Sequence, residues 1–332
     1  MLLPLVLIVS PGLAADNNGN WQTARRWSQM LRGHARTRIL SHWPVAGEST
    51  GEVTEAVAML ALHARRSADS IEAWASAHPA QGLAVVLTGT DLYQDILDDA
   101  TAQRSLELAQ HLVVLQDQGP QAVPPQYRDK TRVMFQSTTT RKSLPKNPKF
   151  LKATMVGHLR EVKSPQTLFQ AARLLAMRAD IHIDHIGVAL ETSLGVQARL
   201  AEADNPKYRW LGGVAHESTR WHIQRADVLV HCSRMEGGAH VVMEAVCSGT
   251  PVLASRVDGN VGMLGDDYAG YFAWGDAKGL ADLMVRCRDD AAFLTHLRAQ
   301  CEARAPLFQP AKEQAALIEL IKALTRKTNL KN

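Results

Sequence analysis

Two glutamates eight positions apart could hold an extended sugar substrate. Glu236 comes directly before Gly237, Gly238 and Ala239, and Glu244 lies in the helical pattern that follows. Backbone without side chains lets a diphosphate approach the N–H groups at a helix start. Eight residues of helix span about 12 Å, so Glu244 could bind a ribose while Glu236 meets the sugar. The alternative for either glutamate alone is a solvated surface residue.

A basic segment earlier in the chain could supply cations to the same substrate. In MVGHLREVKSPQTLFQAA, Gly157 and His158 follow an apolar run, and Arg160 and Lys163 come next. A departing diphosphate gains negative charge as its bond to the sugar breaks, and fixed cations stabilise that charge. Lys163 is the first candidate for this role and Arg160 the second, with Glu236 as the catalytic residue at the sugar. A solvated helix start is the alternative.

The acceptor and the far side of the donor are expected to meet loops of the first half. The candidates are Gly19, Asn20, His63, Arg65, Arg66, Thr90 and Asp91. Gly19 and Asn20 open a helix, and the other five would bind the acceptor. Arg65 and Arg66 match phosphate oxygens bidentately, although a solvated helix start is equally open. Asp91 could instead cap a helix.

No metal and no cofactor are expected. The chain has no D-x-D motif, and its adjacent aspartate pairs are interpreted as surface or capping carboxylates: Asp98–Asp99, Asp266–Asp267 and Asp289–Asp290. The charge of a diphosphate is therefore assigned to cations of the protein.

These residues follow short apolar runs that alternate with helical patterns, as in parallel sheets built from strand–helix units. Six strands are predicted in the first half, near 3–9, 38–40, 58–62, 84–88, 111–115 and 132–135. Six more are predicted near 153–156, 181–186, 208–211, 228–231, 251–254 and 271–273. Ligands of such sheets bind beyond the carboxyl ends of the strands, where the candidate residues lie.

The pattern predicts an α/β protein with two doubly wound Rossmann-like domains facing across a cleft. The acceptor-side domain covers residues 1–148, and the nucleotide-sugar domain covers residues 149–310. A basic, proline-containing stretch from Thr138 to Lys149 is interpreted as the linker. The closing helix, within residues 311–332, could pack back on the first domain.

Composition narrows the class of protein. The 332 residues carry a net charge of +4 in scattered lysines and arginines, which suits a small anionic substrate better than nucleic acid. Four cysteines without C-x-x-C spacing indicate reduced thiols and a cytoplasmic location. The apolar start favours a buried first strand over a secretory signal, and no segment is long enough to span a membrane. The oligomeric state stays open.

The two motifs resemble those of retaining GT-B glycosyltransferases. Glu236 and Glu244 match the E-x7-E signature, and Gly157, Leu159 and Lys163 match a G-R-L-x-x-x-K segment. His158 stands where that family has arginine, which leaves open whether His158 or Arg160 contacts the diphosphate. The resemblance implies a nucleotide-sugar donor held by the second domain, with the turn at Gly19 and Asn20 directed at the donor phosphate.

A narrower resemblance rests on five segments together, LHARRSADSI, LTGTDLYQDI, VGHLREVKSP, SRMEGGAHVVMEA and SRVDGNVGMLGDDYAGYF. They are similar to selenosugar synthases of the SenB type. That likeness implies transfer of a UDP-hexose, UDP-N-acetylglucosamine or UDP-glucose, to selenophosphate, with loss of UDP and phosphate, on the route to selenoneine. An ordinary hexosyltransferase with a hydroxyl acceptor and a non-catalytic UDP-sugar-binding protein are the alternatives.

Overall fold

The computed structural model describes residues 3–14, 19–44, 55–79 and 82–326. By its internal contacts the chain divides into two units. The first unit is Met1–Gln136 together with Pro310–Asn332, and the second is Ser137–Gln309.

The first unit contains six parallel strands. They are β1 Leu5–Val9, β2 Arg36–Leu40, β3 Ala58–Leu62, β4 Leu83–Val86, β5 His111–Val114 and β6 Thr131–Val133. Their order across the sheet is β2-β1-β3-β4-β5-β6, so the strand order reverses between β1 and β3. The helices along this part of the chain are α1 Gly19–Met30, α2 Ala68–Ala77, α3 Ile96–Asp98, α4 Ala100–Leu108 and α5 Gly119–Ala122. A short π-helical turn covers Asp91–Asp95.

The second unit contains six further parallel strands. They are β7 Leu151–Val156, β8 Ile181–Ile186, β9 Tyr208–Gly212, β10 Val228–His231, β11 Val252–Ser255 and β12 Tyr271–Phe272. The order β12-β11-β10-β7-β8-β9 reverses between β7 and β10. The helices are α6 Pro165–Leu174, α7 Thr192–Asp204, α8 His216–Arg225, α9 His240–Val246, α10 Asp258–Leu264, α11 Ala277–Asp289 and α12 Ala291–Arg304. Glu161–Lys163 forms a 3-10 turn.

The closing helix, α13 Pro310–Thr325, belongs to the first unit. Its apolar residues Leu317, Leu320, Ile321 and Leu324 join the core cluster that contains Val6 and Ile8 of β1. Glu313 of the same helix is buried, accepts a hydrogen bond from Trp27 Nε1 at 2.7 Å and pairs with Arg26. Because β1 is buried on both faces, all five of its residues are apolar.

The predicted fold class, two doubly wound parallel sheets, is confirmed, and each of the twelve predicted strands overlaps an observed one. The proposed linker, however, lies within the second unit, which begins at Ser137 rather than at residue 149. Its backbone explains the difference: Arg141 N donates to Cys247 O at 2.9 Å, and Leu144 N donates to Gln224 O at 3.1 Å. Within the described ranges, no helix is long and apolar enough to cross a membrane.

Candidate functional site

The candidate site of the second unit lies where its strand order reverses. The loop after β7 holds residues 157–164, and the loop after β10 holds residues 232–239. Doubly wound sheets bind ligands at this point because the two loops leave the sheet on either side of a crevice. The loops are connected directly, since Arg234 N donates to Val162 O at 2.9 Å.

Lys163 and Glu236 form an ion pair across these two loops. Lys163 Nζ lies 2.5 Å from Glu236 Oε1, and the two side chains are 21% and 10% exposed. The 3-10 turn ends in Ser164, a non-glycine residue with a left-handed φ of 45°. Trp274 Nε1 donates to Ser164 Oγ at 2.9 Å and so helps to fix the end of the turn. The sequence predicted both charged residues, and the structure brings them together.

His231 is a second basic neighbour of Glu236. Its Nε2 atom lies 3.1 Å from Glu236 Oε1, and its side chain is 2% exposed. No atom of the described residues forms a hydrogen bond of good geometry with this nitrogen. The Lys163 ammonium group, the His231 imidazole and the buried Glu236 carboxylate therefore occupy the centre of the site.

Glu236 is ionised in this environment. Burial raises the pKa of Glu236, but the charge of Lys163 and the neighbouring His231 outweigh it and hold the pKa well below 4.5. Because the folded pKa is depressed, the stability that the ion pair contributes is present above about pH 4.5 and is lost as the pH falls through the folded pKa.

Gly259, at the start of α10, allows the backbone of Glu236 to approach. A Cβ atom on Gly259 would lie 2.0 Å from Glu236 O and 2.8 Å from Glu236 Cβ. No side-chain rotation relieves a clash with a carbonyl oxygen, so a larger residue must displace the loop that carries Glu236.

We expect Gly259→Ala to lower the free energy of unfolding by about 1–3 kcal/mol and the activity by up to about 100-fold. The physical cause is displacement of Glu236 from Lys163, with no charged residue changed. Chemical denaturation and steady-state kinetics measure the two effects. Wild-type values in both would show that α10 does not position the loop.

Glu244 lies in a different charged cluster, on α9. Its Oε1 atom is 2.7 Å from His216 Nε2, 3.7 Å from Arg220 Nη1 and 3.8 Å from His240 Nδ1. Burial raises the pKa of Glu244, but His216, His240 and Arg220 together lower it to about 2. Buried Arg220 also donates to Thr138 Oγ1 at 2.8 Å. Glu244 is thus an ionised carboxylate with its own basic partners.

The His216–Glu244 pair predicts a pH-dependent stability. The hydrogen bond to Glu244 raises the pKa of His216 above 6.5, although burial opposes it. A group with a raised folded pKa stabilises fully below the unfolded pKa, and this stability is lost as the pH rises through the folded pKa. We expect His216→Asn to destabilise the protein below about pH 6.5 and to have less effect at higher pH. Since the His216 side chain is 68% exposed, the loss is about 1 kcal/mol or less.

Urea denaturation at several pH values measures this difference. His296→Asn, on the exposed face of α12, is the matched control and is expected to show no such trend. A His216→Asn effect that grows with pH would contradict the assignment.

The other residues predicted to bind the sugar donor from the loop after β7 differ in how far they are exposed. His158 is exposed, and its Nδ1 accepts a hydrogen bond from Val188 N at 3.2 Å. Burial of the ring, Arg160 and Lys163 lower the pKa of His158, so it is a neutral acceptor here. Arg160 is exposed, and its carbonyl accepts from Lys163 N at 3.0 Å. A Cβ on Gly157 would make only an ordinary contact, 3.9 Å from Lys163 Cγ.

Gly237, Gly238 and Ala239 connect β10 to α9. Gly237 and Ala239 are buried, and Gly238 is partly exposed. Ala239 N lies 3.1 Å from Met263 Sδ, so this N–H already has a weak acceptor. The helix that follows has only seven residues, which limits what its dipole contributes.

In the first unit, His63 and Asp91 order the loops after β3 and β4. Asp91 is fully buried and accepts hydrogen bonds from the backbone N–H groups of Ala64, Thr88 and Gly89 at 2.8–2.9 Å. These N–H groups lie outside the helical turn that begins at Asp91, so the carboxylate connects the two loops and does not cap this turn, and its full burial leaves no free surface for an acceptor. His63 is 2% exposed and has a left-handed φ of 75°.

The ring of His63 is neutral. Its Nδ1 accepts from Arg66 N at 3.3 Å, which places the proton on Nε2, 3.2 Å from Thr90 Oγ1. Burial lowers the pKa of His63, and Asp91 opposes that effect. The neutral imidazole therefore connects the backbone at Arg66 to the side chain of Thr90 and carries no charge.

The exposed candidates for acceptor binding in the first unit are Thr90, Arg65 and Arg66. Arg65 Nη1 is 3.1 Å from Asp95 Oδ1, so part of its charge is compensated. Within the described part of the chain, Arg66 has no ion pair. Gly19 is exposed at the start of α1, and Asn20 beside it is partly exposed.

Apart from the candidate site, a pocket of about 220 Å³ lies near the amino-terminal ends of β7 and β9. Its carboxylate, Asp184, is already paired with Lys152 at 2.6 Å and Arg209 at 2.8 Å. Ligands of doubly wound sheets bind at the opposite end, so we assign this cluster to stability. The described residues contain no group of three or more His, Cys, Asp or Glu that could hold a metal.

Residues 136–306, just over half of the chain, match the family described as glycosyl transferases group 1. The chain belongs to this family. The match includes Lys163, Glu236 and Glu244. A comparison with curated protein sequences gave no match.

Solved structures with the same fold are glycosyltransferases of the GT-B type. HepE of Anabaena, in complex with UDP and glucose, is 16% identical with a TM-score of 0.74, over 97% of this chain and 100% of that one. Sucrose-phosphate synthase from Thermosynechococcus elongatus is 16% identical with a TM-score of 0.75, over 97% and 99%. The pneumococcal O-GlcNAc transferase GtfA, in complex with UDP and GlcNAc, is 16% identical with a TM-score of 0.64, over 81% and 57%. At this identity the likeness establishes the fold.

Five residues around the two glutamates were not predicted from the sequence, namely His231, His216, Arg220, His240 and Gly259. A signal existed for His231, because it ends a strand whose carboxyl edge carries the site. No spacing rule connects His216 or Arg220 to Glu244, since α8 and α9 are separated by β10.

Proposed function

We propose that the protein is a UDP-sugar-dependent glycosyltransferase whose donor binds beside Lys163 and Glu236. The single observation that carries the proposal is this ion pair at the strand-order reversal of a group 1 family domain. The complexes of HepE with UDP and glucose and of GtfA with UDP and GlcNAc support a UDP-sugar. No metal is required, because Lys163 and Arg160 would compensate the charge of the diphosphate.

In the proposed reaction each residue has a separate task. Lys163 and Arg160 stabilise the negative charge that collects on the diphosphate as the bond between the anomeric carbon and oxygen breaks. The Glu236 carboxylate accepts hydrogen bonds from sugar hydroxyls, and Glu244 accepts from the ribose. The bare backbone at Gly237 and Gly238 lets the diphosphate approach.

We further propose selenophosphate as the acceptor, on the resemblance of five segments to selenosugar synthases. Selenium attacks the anomeric carbon of a UDP-hexose, UDP leaves, and water cleaves the selenium–phosphorus bond to release phosphate. An anionic nucleophile needs cations, and Arg65 and Arg66 are exposed at the carboxyl end of β3.

Four buried cysteines without disulfides fit a reducing compartment, so we place the enzyme in the cytoplasm.

Product analysis tests both the proposed UDP-sugar donor and the proposed selenophosphate acceptor. The purified protein is incubated with UDP-N-acetylglucosamine or UDP-glucose and either selenophosphate or a set of alcohols and sugars. A hexose of selenium-bearing mass is the expected product, together with UDP. A hydroxyl-linked product alone would favour an ordinary hexosyltransferase, as sucrose-phosphate synthase is by its name. Donor binding without UDP release under every condition would favour a binding protein.

A further inference from the structure

Glu236 has two basic neighbours at a single oxygen atom. Lys163 Nζ approaches Oε1 from the loop after β7, and His231 Nε2 approaches it from the last residue of β10. Glu236 itself is 9% exposed. A carboxylate buried to this extent is strongly disfavoured without a counter-charge.

The proposed function gives Lys163 a second anion to bind. A diphosphate at Lys163 competes with Glu236 for the ammonium group and adds negative charge beside it. Whether Lys163 leaves Glu236 or is shared, the positive charge available to the carboxylate falls. A positive charge on a group already next to Glu236 then becomes favourable.

His231 is placed to provide that charge. It is buried, and its Nε2 has no hydrogen-bond partner among the described residues. The flanking strands present no ionisable side chain at this level, since β7 ends in Met155 and Val156 and β11 ends in Ala254 and Ser255.

Other titratable groups near His231 lie in the two loops. His158 and Arg160 precede Lys163 in the loop after β7, and both are exposed. Cys232, next to His231, is buried, and burial raises the pKa of its thiol. The thiol is therefore neutral and does not supply a counter-charge.

We propose that His231 is the second counter-ion of Glu236, and that donor binding adds one proton from solvent to its imidazole as Lys163 turns to the diphosphate. The proton binds the lone pair of the neutral ring, and no other bond changes. The resulting His231–Glu236 pair keeps the carboxylate ionised and in place against the sugar. His231 is thus a positioning residue, and the proposal rests on the proposed function.

Calorimetric titration of the full-length protein with UDP measures the proton directly. The binding enthalpy is recorded at about pH 7.5 in buffers of different ionisation enthalpy, and its slope gives the protons taken up. We expect an uptake close to one proton per UDP for the wild type. We expect almost none for His231→Asn and for His231→Gln, with wild-type uptake in His296→Asn.

Two variants distinguish the proton acceptor. In Lys163→Met the carboxylate already lacks its lysine, so His231 is charged before UDP arrives and the uptake is expected to fall. His158 is a second histidine close to Lys163 in the loop after β7, and His158→Asn is expected to keep the uptake. Loss of uptake in His158→Asn with retention in His231→Asn would overturn the proposal.

The unmodified protein gives a test that does not depend on the folding of any variant. Ring nitrogen shifts of ¹⁵N-labelled histidine should show His231 changing from neutral to protonated on addition of UDP. UDP binding without proton uptake would overturn the role of His231 and leave the donor site intact. Absence of UDP binding would overturn the proposed function itself.

Discussion

Replacing Lys163 with alanine is expected to lower kcat by about 10²- to 10³-fold, because the leaving diphosphate loses its fixed cation. The fold should be affected less. Lys163 is 21% exposed, and His231 remains next to Glu236, so the loss of stability is expected to stay below about 3 kcal/mol. A protein with ordinary stability remains folded after such a loss. UDP release measures the rate, and urea denaturation measures the stability.

Lys278→Ala is the matched control, because Lys278 is an exposed lysine that pairs with an aspartate on its own helix. Its rate and stability should both equal the wild type. If Lys163→Ala kept the wild-type rate, the diphosphate would not depend on this ammonium group. If it lost stability and rate in proportion, the ion pair would be structural only.

The second large effect is expected for Glu236→Gln, which keeps the shape of the side chain and removes its charge. Hydrogen bonds to a charged acceptor contribute about 1.5–3 kcal/mol, so kcat/KM should fall by about 10- to 100-fold. Binding of UDP alone should change much less, since UDP carries no hexose. Titration with UDP and with the intact UDP-sugar separates the two contributions.

Glu319→Gln, on the exposed side of α13, is the control for loss of a carboxylate. This variant should leave both kcat/KM and the affinity for UDP unchanged. A Glu236→Gln enzyme that binds UDP poorly but turns over bound UDP-sugar at the wild-type rate would place Glu236 at the nucleotide instead of the sugar.

Much of the fold could be predicted from the sequence because buried parallel strands leave a local signal. Ala58–Leu62, Ile181–Ile186 and Val228–His231 were predicted with the bounds that the structure has. Ala58–Leu62 and Val228–His231 are short, mostly apolar runs, Ile181–Ile186 begins with isoleucines that alternate with polar residues, and a helical pattern follows each strand. Other strands have one or both ends shifted by one or two residues, because the ladder ends where the neighbouring strand ends and no local feature marks that point.

The unit boundary could not be predicted from composition. Residues 138–149 look like a linker because they are polar and contain two prolines. They belong to the second unit because they form hydrogen bonds with residues far along the chain. Cys247 and Gln224 accept from the backbone of this stretch, and Arg220 donates to one of its side chains. Long-range contacts of this kind leave no pattern in the local sequence.

The candidate site was predictable in its charged residues and not in their pairing. Lys163 and Glu236 meet because β7 and β10 are neighbours, and this follows from the strand order. Glu244 belongs to a second cluster because α8 brings His216 and Arg220 beside α9. The Asp91 carboxylate is neither a cap of its own helical turn nor exposed to an acceptor, because it is buried among backbone N–H groups of two loops, and sequence spacing reveals neither its burial nor these partners.

A crystal structure of the protein with a bound UDP-sugar tests the donor site most directly. We expect the diphosphate within hydrogen-bond distance of Lys163, the hexose hydroxyls at Glu236 and the ribose at Glu244. A UDP-sugar bound elsewhere on the chain would disprove the proposed donor site, as would one from which Lys163 and Glu236, still paired to each other, are turned away.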